Sequence, residues 1–197
     1  GHAAVVERLR AVVAEQLQLA PKLVAAALEG DAAAVARLLA VGADPNASVH
    51  GQAPSGQVYQ ATALCTAARD GQLEAARLLL DGGANPSCAD INGRTPLIEA
   101  AVGGQLEVLR LLLARGAAVD AVEPGSGGTA FHFACEDNHV DCAEALARAG
   151  CDVGLKDKDG FTGRELAERK GHAAVVERLR ALVAEQLRAA QAASPAP

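Results

Sequence analysis

Histidine and cysteine gather in one short stretch of this chain. His132, Cys135, His139 and Cys142 follow the spacing H-x2-C-x3-H-x2-C. These are zinc-ligand types, and a tetrahedral site takes two sulfurs and two nitrogens readily. A second chemistry could lie with the carboxylates Asp70, Glu136, Asp137, Asp157 and Asp159, since two carboxyls held together in a pocket can share acid–base work. Neither set comes with the rest of a site. Asp137-Asn138 reads as a turn that splits the four zinc-type residues between two helices. The carboxylates fall at turns, where water reaches them, and no nucleophile–base constellation accompanies them. The run V-E-P-G-S-G-G at 122–128 lacks the Gly-Lys-Ser/Thr of a phosphate-binding loop. The sequence therefore points away from an enzyme, and it assigns no catalytic residue, cofactor or metal.

The elements that carry these residues are built from small side chains. Half of the 197 residues are hydrophobic and 46 are alanine, yet only Tyr59, Phe131, Phe133 and Phe161 are aromatic. Such a core disfavours a β-sandwich or barrel, whose strands favour aromatic and β-branched residues. It also disfavours base-stacking surfaces. A net charge of -6 gives the whole chain no electrostatic reason to bind a phosphate backbone, so nucleic acid is not the expected partner. No apolar run approaches the ~20 residues of a membrane span, and no secretory signal is visible. Five irregularly spaced cysteines fit a reduced, intracellular and cytoplasmic protein. The chain opens on Gly1 rather than Met and reads as a piece of a longer protein.

The chain repeats itself. Thr62, Thr95, Thr129 and Thr162 are separated by 33, 34 and 33 residues. Gly71, Gly104, Asn138 and Gly171 follow each threonine at the same step. A further series, Gly42-Ala43, Gly83-Ala84, Gly116-Ala117 and Gly150-Cys151, closes each unit. Within a period the pattern predicts helix, tight turn, helix and extended loop. In the clearest unit, Thr95 caps a short helix with Pro96 in its first turn. Leu97, Ala100 and Ala101 form that helix's inner face. Leu106, Val108, Leu109, Leu112 and Leu113 give the next helix a wide apolar stripe, and Gly116 ends it.

Residues 90–121, D-I-N-G-R-T-P-L-I-E-A-A-V-G-G-Q-L-E-V-L-R-L-L-L-A-R-G-A-A-V-D-A, resemble the ankyrin repeat nearly throughout. Residues 62–89, 129–153 and 157–176 resemble it less completely. Residues 21–47 lack the T-P-L-H element, as a capping first repeat does. The resemblance implies an all-α solenoid of stacked helix-turn-helix repeats with β-hairpin fingers. It predicts about five repeats (21–47, 48–89, 90–121, 122–155 and 156–188) within a domain of 19–188. An extra helix would precede it at 1–18, and a disordered tail would follow at 189–197. It also accounts for the histidines and cysteines one by one. His132 takes the T-P-L-H histidine position and can bond between hairpins, Cys135 replaces a small alanine, His139 takes the G-H position, and Cys142 replaces a buried valine.

The pattern breaks in two places. The step from Gly42 to Gly83 is 41, and the excess, Ser48–Gln60, should lengthen the first finger. At the ends, residues 1–18 and 171–188 agree at sixteen of eighteen positions, differing at Val12/Leu182 and Gln18/Arg188. The C-terminal copy sits where the last repeat's second helix belongs, with Arg180 facing water as an end cap. The N-terminal copy is expected to dock on the first repeat as an extra half-repeat. A junction between tandem modules, or a swapped segment, is the alternative.

Ankyrin arrays bind other proteins on a concave face of fingers and first helices. Carried over by register, that face holds Tyr59, Arg69, Asp70, Ile91, Asn92, Arg94, Val102, Glu136, Asp137, Lys158, Phe161 and Arg169. Tyr59, Ile91 and Phe161 are its expected apolar anchors. Asp70, Glu136 and Asp137 make its middle acidic, whereas Lys156, Lys158, Arg169 and Lys170 make its end basic, which suits an oriented partner segment. The expected function is a protein-interaction scaffold. Self-association through the duplicated terminal helices is the first alternative, and metal binding in the fourth repeat is the second.

Overall fold

The computed structural model describes residues 2–52 and 58–193. Helix α1 (His2–Glu29) and helix α2 (Ala32–Ala40) come first. Strands β1 (Ser48–Gln52) and β2 (Val58–Thr62) form an antiparallel hairpin, paired from Ser48 with Thr62 to Gln52 with Val58. Four helix pairs follow: α3 (Ala63–Arg69) with α4 (Leu73–Asp81), α5 (Pro96–Val102) with α6 (Leu106–Ala114), α7 (Ala130–Glu136) with α8 (Val140–Arg148), and α9 (Gly163–Lys170) with α10 (Ala173–Ala193). The odd-numbered helices stack in sequence as one layer and the even-numbered ones as a second. This is the solenoid that the 33-residue register predicts. Among the described residues no helix is long and apolar enough to cross a membrane.

From α3 on, each first helix starts at the recurring threonine. The Oγ of Thr62, Thr95 and Thr162 accepts from the backbone N–H of Cys65, Ile98 and Glu165, so an otherwise orphaned helix donor is satisfied. At Thr129 the histidine three residues on closes the cap instead, with His132 Nδ1 accepting from the Thr129 N–H at 3.2 Å. Each helix pair turns at a left-handed residue. Gly104 (φ 66°) serves in the third repeat, and Asn138 (φ 61°) does so in the fourth, as asparagine tolerates.

Small residues set the spacing of the first layer. Ala67, Ala68, Ala100, Ala101, Ala134 and Ala167 are fully buried there. Leu79, Leu112 and Leu146 fill the space between layers at the repeat period, with Leu179 at the last step. Phe131 and Phe133 are buried. The Phe131 ring lies where a Cβ on Gly163 would sit 2.8 Å from it, so that first-turn position takes glycine.

A second periodic set ties repeat to repeat. Gln72 and Gln105 donate from Nε2 to the carbonyls of Leu28 and Arg69. His139 and His172 place Nε2 at 3.1 and 2.9 Å from the carbonyls of Val102 and Glu136. Each rung satisfies a carbonyl at the C-terminal end of the preceding repeat's first helix, where no intrahelical donor remains.

The insertion at 48–60 lengthens the first finger, as expected, through β1 and β2; residues 53–57 lie outside the described residues. The ends differ from expectation. Helical backbone runs from His2 to Glu29 without a break, roughly 42 Å at 1.5 Å per residue. A docked half-repeat needs the chain to reverse after residue 18. Only Leu19 and Ala20 precede Pro21 there, with no glycine to turn on, and Pro21 is carried inside the helix. Residues 2–18 are therefore the first part of α1, with Val5 and Val6 exposed. At the other end α10 passes residue 188 and continues to Ala193, and residues 194–197 lie outside the described residues.

Candidate protein-binding surface

The short fingers are shaped by acidic side chains folded back on their own turns. Asp90 Oδ1 accepts from the N–H groups of Asn92 and Arg94, both at 2.8 Å, and Asp157 Oδ1 accepts from the Phe161 N–H at 2.8 Å. Between them, Glu123 is buried and accepts from Gly125 N–H, Ser126 N–H and Ser126 Oγ. Burial works against its charge, yet these donors hold its carboxyl below the ordinary value. Lys158 crosses to the next finger, where its N–H donates to Ser126 O at 2.8 Å and its Nζ to Pro124 O. These two fingers are thus fixed relative to one another before any partner arrives.

The residues carried over by register fall into groups. Ile91 is 51 % exposed at a finger tip, with Asn92 exposed beside it. Asp70 and Asp137 are exposed caps at the ends of α3 and α7. Val102 is half-buried, and its carbonyl serves His139. Arg94 lies 5.1 Å above the Phe133 ring. Phe161 is half-buried beneath Arg169, whose guanidinium carbon stands 4.0 Å from the ring centre, so this anchor already has a cationic cover. Glu136 pairs with Lys170 at 2.8 Å, so the expected acidic middle and basic end meet in one ion pair. Tyr59 takes its place in β2 opposite Gly51, and its side chain lies outside the described residues.

Two features of this face are absent from the register-based set. Val122, 51 % exposed, stands on the finger after Ile91; its apolar type between Ala121 and Glu123 was the available signal. The other is Glu99 in α5, only 5 % exposed. Arg69 Nε stands 3.8 Å from its Oε2 and Arg94 Nη1 3.9 Å from its Oε1. Glu99 Oε2 is the buried side-chain oxygen without a hydrogen-bond partner among the described residues. Burial pushes this carboxyl above its ordinary value, against the pull of the two arginines, with Asp90 and Asp70 adding to the rise. Glu99, Arg69, Asp70 and Asp90 line a hollow of about 390 Å³ with Leu28 and Cys65.

The fourth repeat shows what its histidines and cysteines do. His132 uses both ring nitrogens, Nδ1 at Thr129 and Nε2 at Leu155 O, 3.1 Å away. His139 holds its rung. Cys135 and Cys142 are buried, and burial pushes their thiols up to about 12 and about 11. Their thiolates, the form that binds metal or reacts, are therefore disfavoured near neutral pH. Cys65 and Cys151 are raised in the same way, to about 12 each.

Comparison with known proteins agrees with this architecture. The family described as ankyrin repeats (3 copies) matches residues 23–123, and that described as ankyrin repeat matches residues 126–158. Over 118 residues the chain is 35 % identical to cyclin-dependent kinase 4 inhibitor B of Bos taurus, covering 60 % of this chain and 89 % of the relative. It is equally identical over the same length to cyclin-dependent kinase inhibitor 2A of Homo sapiens, covering 75 % of that protein. It is 39 % identical to espin-like protein of Homo sapiens over 54 residues, but these span only 5 % of that much longer relative. With its capped first helices, its two stacked layers and its 33-residue step, the chain belongs to the ankyrin-repeat family.

Proposed function

We propose that this protein is a non-enzymatic intracellular adaptor that grips a partner protein on its finger and first-helix face. The observation that carries the reading is a pair of exposed apolar residues, Ile91 and Val122, on neighbouring fingers, with Asp90 beside Ile91 lining the charged hollow of Arg69, Asp70 and Glu99. Apolar anchors within a polar rim are how a small surface gains affinity and orientation together. The finger that carries Val122 is already bonded to the next one through Lys158, so that part of the face is formed before a partner arrives. The cysteines are free thiols, which fits a reducing compartment.

The names of the relatives make a cyclin-dependent kinase the first partner to test. Titration calorimetry with purified cyclin-dependent kinase 4 measures this directly. Ile91→Asp with Val122→Asp is expected to weaken binding at least about tenfold, each anchor contributing on the order of 1 kcal/mol or more. Unchanged affinity in the double variant would refute the assignment of this face. A kinase that does not bind at all would remove the proposed partner class while leaving the face open to other proteins.

A further inference from the structure

The duplicated ends place one sequence in two environments. In the C-terminal copy Val175 and Val176 are buried, and Leu179 and Leu182 complete the apolar face by which α10 covers α8 and α9. Arg178 forms a paired contact with Glu144, Arg148 Nη2 reaches Glu185 at 3.0 Å, and His172 Nε2 lies 2.9 Å from Glu136 O. In the N-terminal copy the matching valines have no such cover, with Val5 56 % and Val6 38 % exposed. The sequence also repeats His2, Arg8, Leu9 and Glu15 at the positions of His172, Arg178, Leu179 and Glu185. All that α10 offers to the α8/α9 groove, Leu182 apart, is thus present in sequence a second time, at the far end of the array.

We propose that the α8/α9 groove is a receptor for residues 1–18 of a second copy of this chain, and that α10 occupies it in cis. The occupant follows from identity. A surface that holds one of these helices through named apolar and charged contacts holds the other through the same ones. Of the two differing positions, only Leu182, replaced by Val12, is buried in the groove. That change removes one methylene group, roughly a fourfold loss in affinity. Only Gly171 and His172 join α9 to α10, so α10 sees its groove at an effective concentration of order millimolar or above. At micromolar chain the trans contact is therefore suppressed roughly a thousandfold. Release of α10 converts the end of the array from a capped terminus into a socket for the next chain. This proposal is independent of the finger face and of any kinase.

The test uses the full chain with Val175→Asp and Val176→Asp to free the groove, and Val5→Asp and Val6→Asp to silence its own N-terminal copy. A fluorescent peptide of residues 1–18 is titrated against it and against the unaltered protein, with anisotropy as the readout. A peptide of residues 171–188 serves as the reference ligand. Expected are binding of both peptides to the variant, at least thirtyfold weaker binding to the unaltered protein, and about fourfold tighter binding of the 1–18 peptide carrying Val12→Leu. Sedimentation should show that the chain with only Val175→Asp and Val176→Asp self-associates, and that adding Val5→Asp and Val6→Asp returns it to monomer. Binding of the 171–188 peptide alone would overturn the proposal. So would binding of neither peptide, or equal binding to variant and unaltered protein.

Discussion

Glu99 stands between two arginines that come near its carboxylate without bonding it. Its raised value has a definite sign. The folded state holds this proton more tightly than the unfolded chain does. The resulting contribution to stability is full below the ordinary glutamate value of about 4.3 and is lost as pH rises through the folded value. At neutral pH the buried charge is a cost. Glu99→Gln should therefore raise stability at pH 7 by roughly 1 kcal/mol, the low end of the gains seen when buried charges are replaced. Urea unfolding at pH 7 and pH 4 checks this, since the advantage must shrink at the lower pH. The capping threonines and the left-handed turns were legible residue by residue, because each depends on neighbours within a few positions. Glu99 was not. Arg94 is only five residues away, but Arg69 sits at the end of α3, and only the stacking of α3 on α5 brings it to Glu99. Val122 is smaller than Tyr59 and Phe161, the aromatic anchors that residue type suggests. Yet Phe161 lies under Arg169, so size alone was a poor guide to what stays exposed.

Among the elements, α10 is held by charge as well as by its valines. Hydrogen bonds from Arg178 and then Arg148 hold the Glu144 carboxyl down at about 2. Here the sign is reversed. The contribution is present above the ordinary glutamate value of about 4.3 and disappears as pH falls through about 2. Glu144→Gln is expected to cost about 1 kcal/mol at pH 7, discounted for the exposure of both arginines. By pH 2 most of that cost should be gone. Hydrogen exchange in α10 is the appropriate measurement, because loosening should concentrate there. The role of α10 was legible from its place in the period. The course of α1 was not, since periodicity reports which residues repeat but says nothing of whether the chain reverses between them. The continuous helix through Pro21 follows from the missing turn residues at 18–20.

At the scale of the whole molecule, composition and register proved to be one observation. Adjacent first helices meet through alanines, and the larger leucines are left to bridge the layers. Leu112 is fully buried in the central repeat, so Leu112→Ala should cost ~2–5 kcal/mol in equilibrium unfolding. A negligible change would contradict the packing described. The fold class was legible because every unit states the same pattern. The charge pattern of the candidate face was not legible, because the ends of stacked first helices answer one another's charges, as Lys170 of α9 does for Glu136 of α7.

The rungs formed by Gln72, Gln105, His139 and His172 make the array a structure with a phase. Each donor meets a carbonyl one step earlier in the stack, at a sequence distance of 44, 36, 37 and 36 residues. Removing or adding one full period between rungs leaves every donor facing an acceptor. A change of any other length inside a helix pair throws two helix ends out of phase at once. The extra residues of the first finger obey that rule: they lie in the hairpin between periods, and the 44-residue rung across them still closes. Growth and shortening of such a chain are thereby quantised, and loops are where its lineage can vary freely.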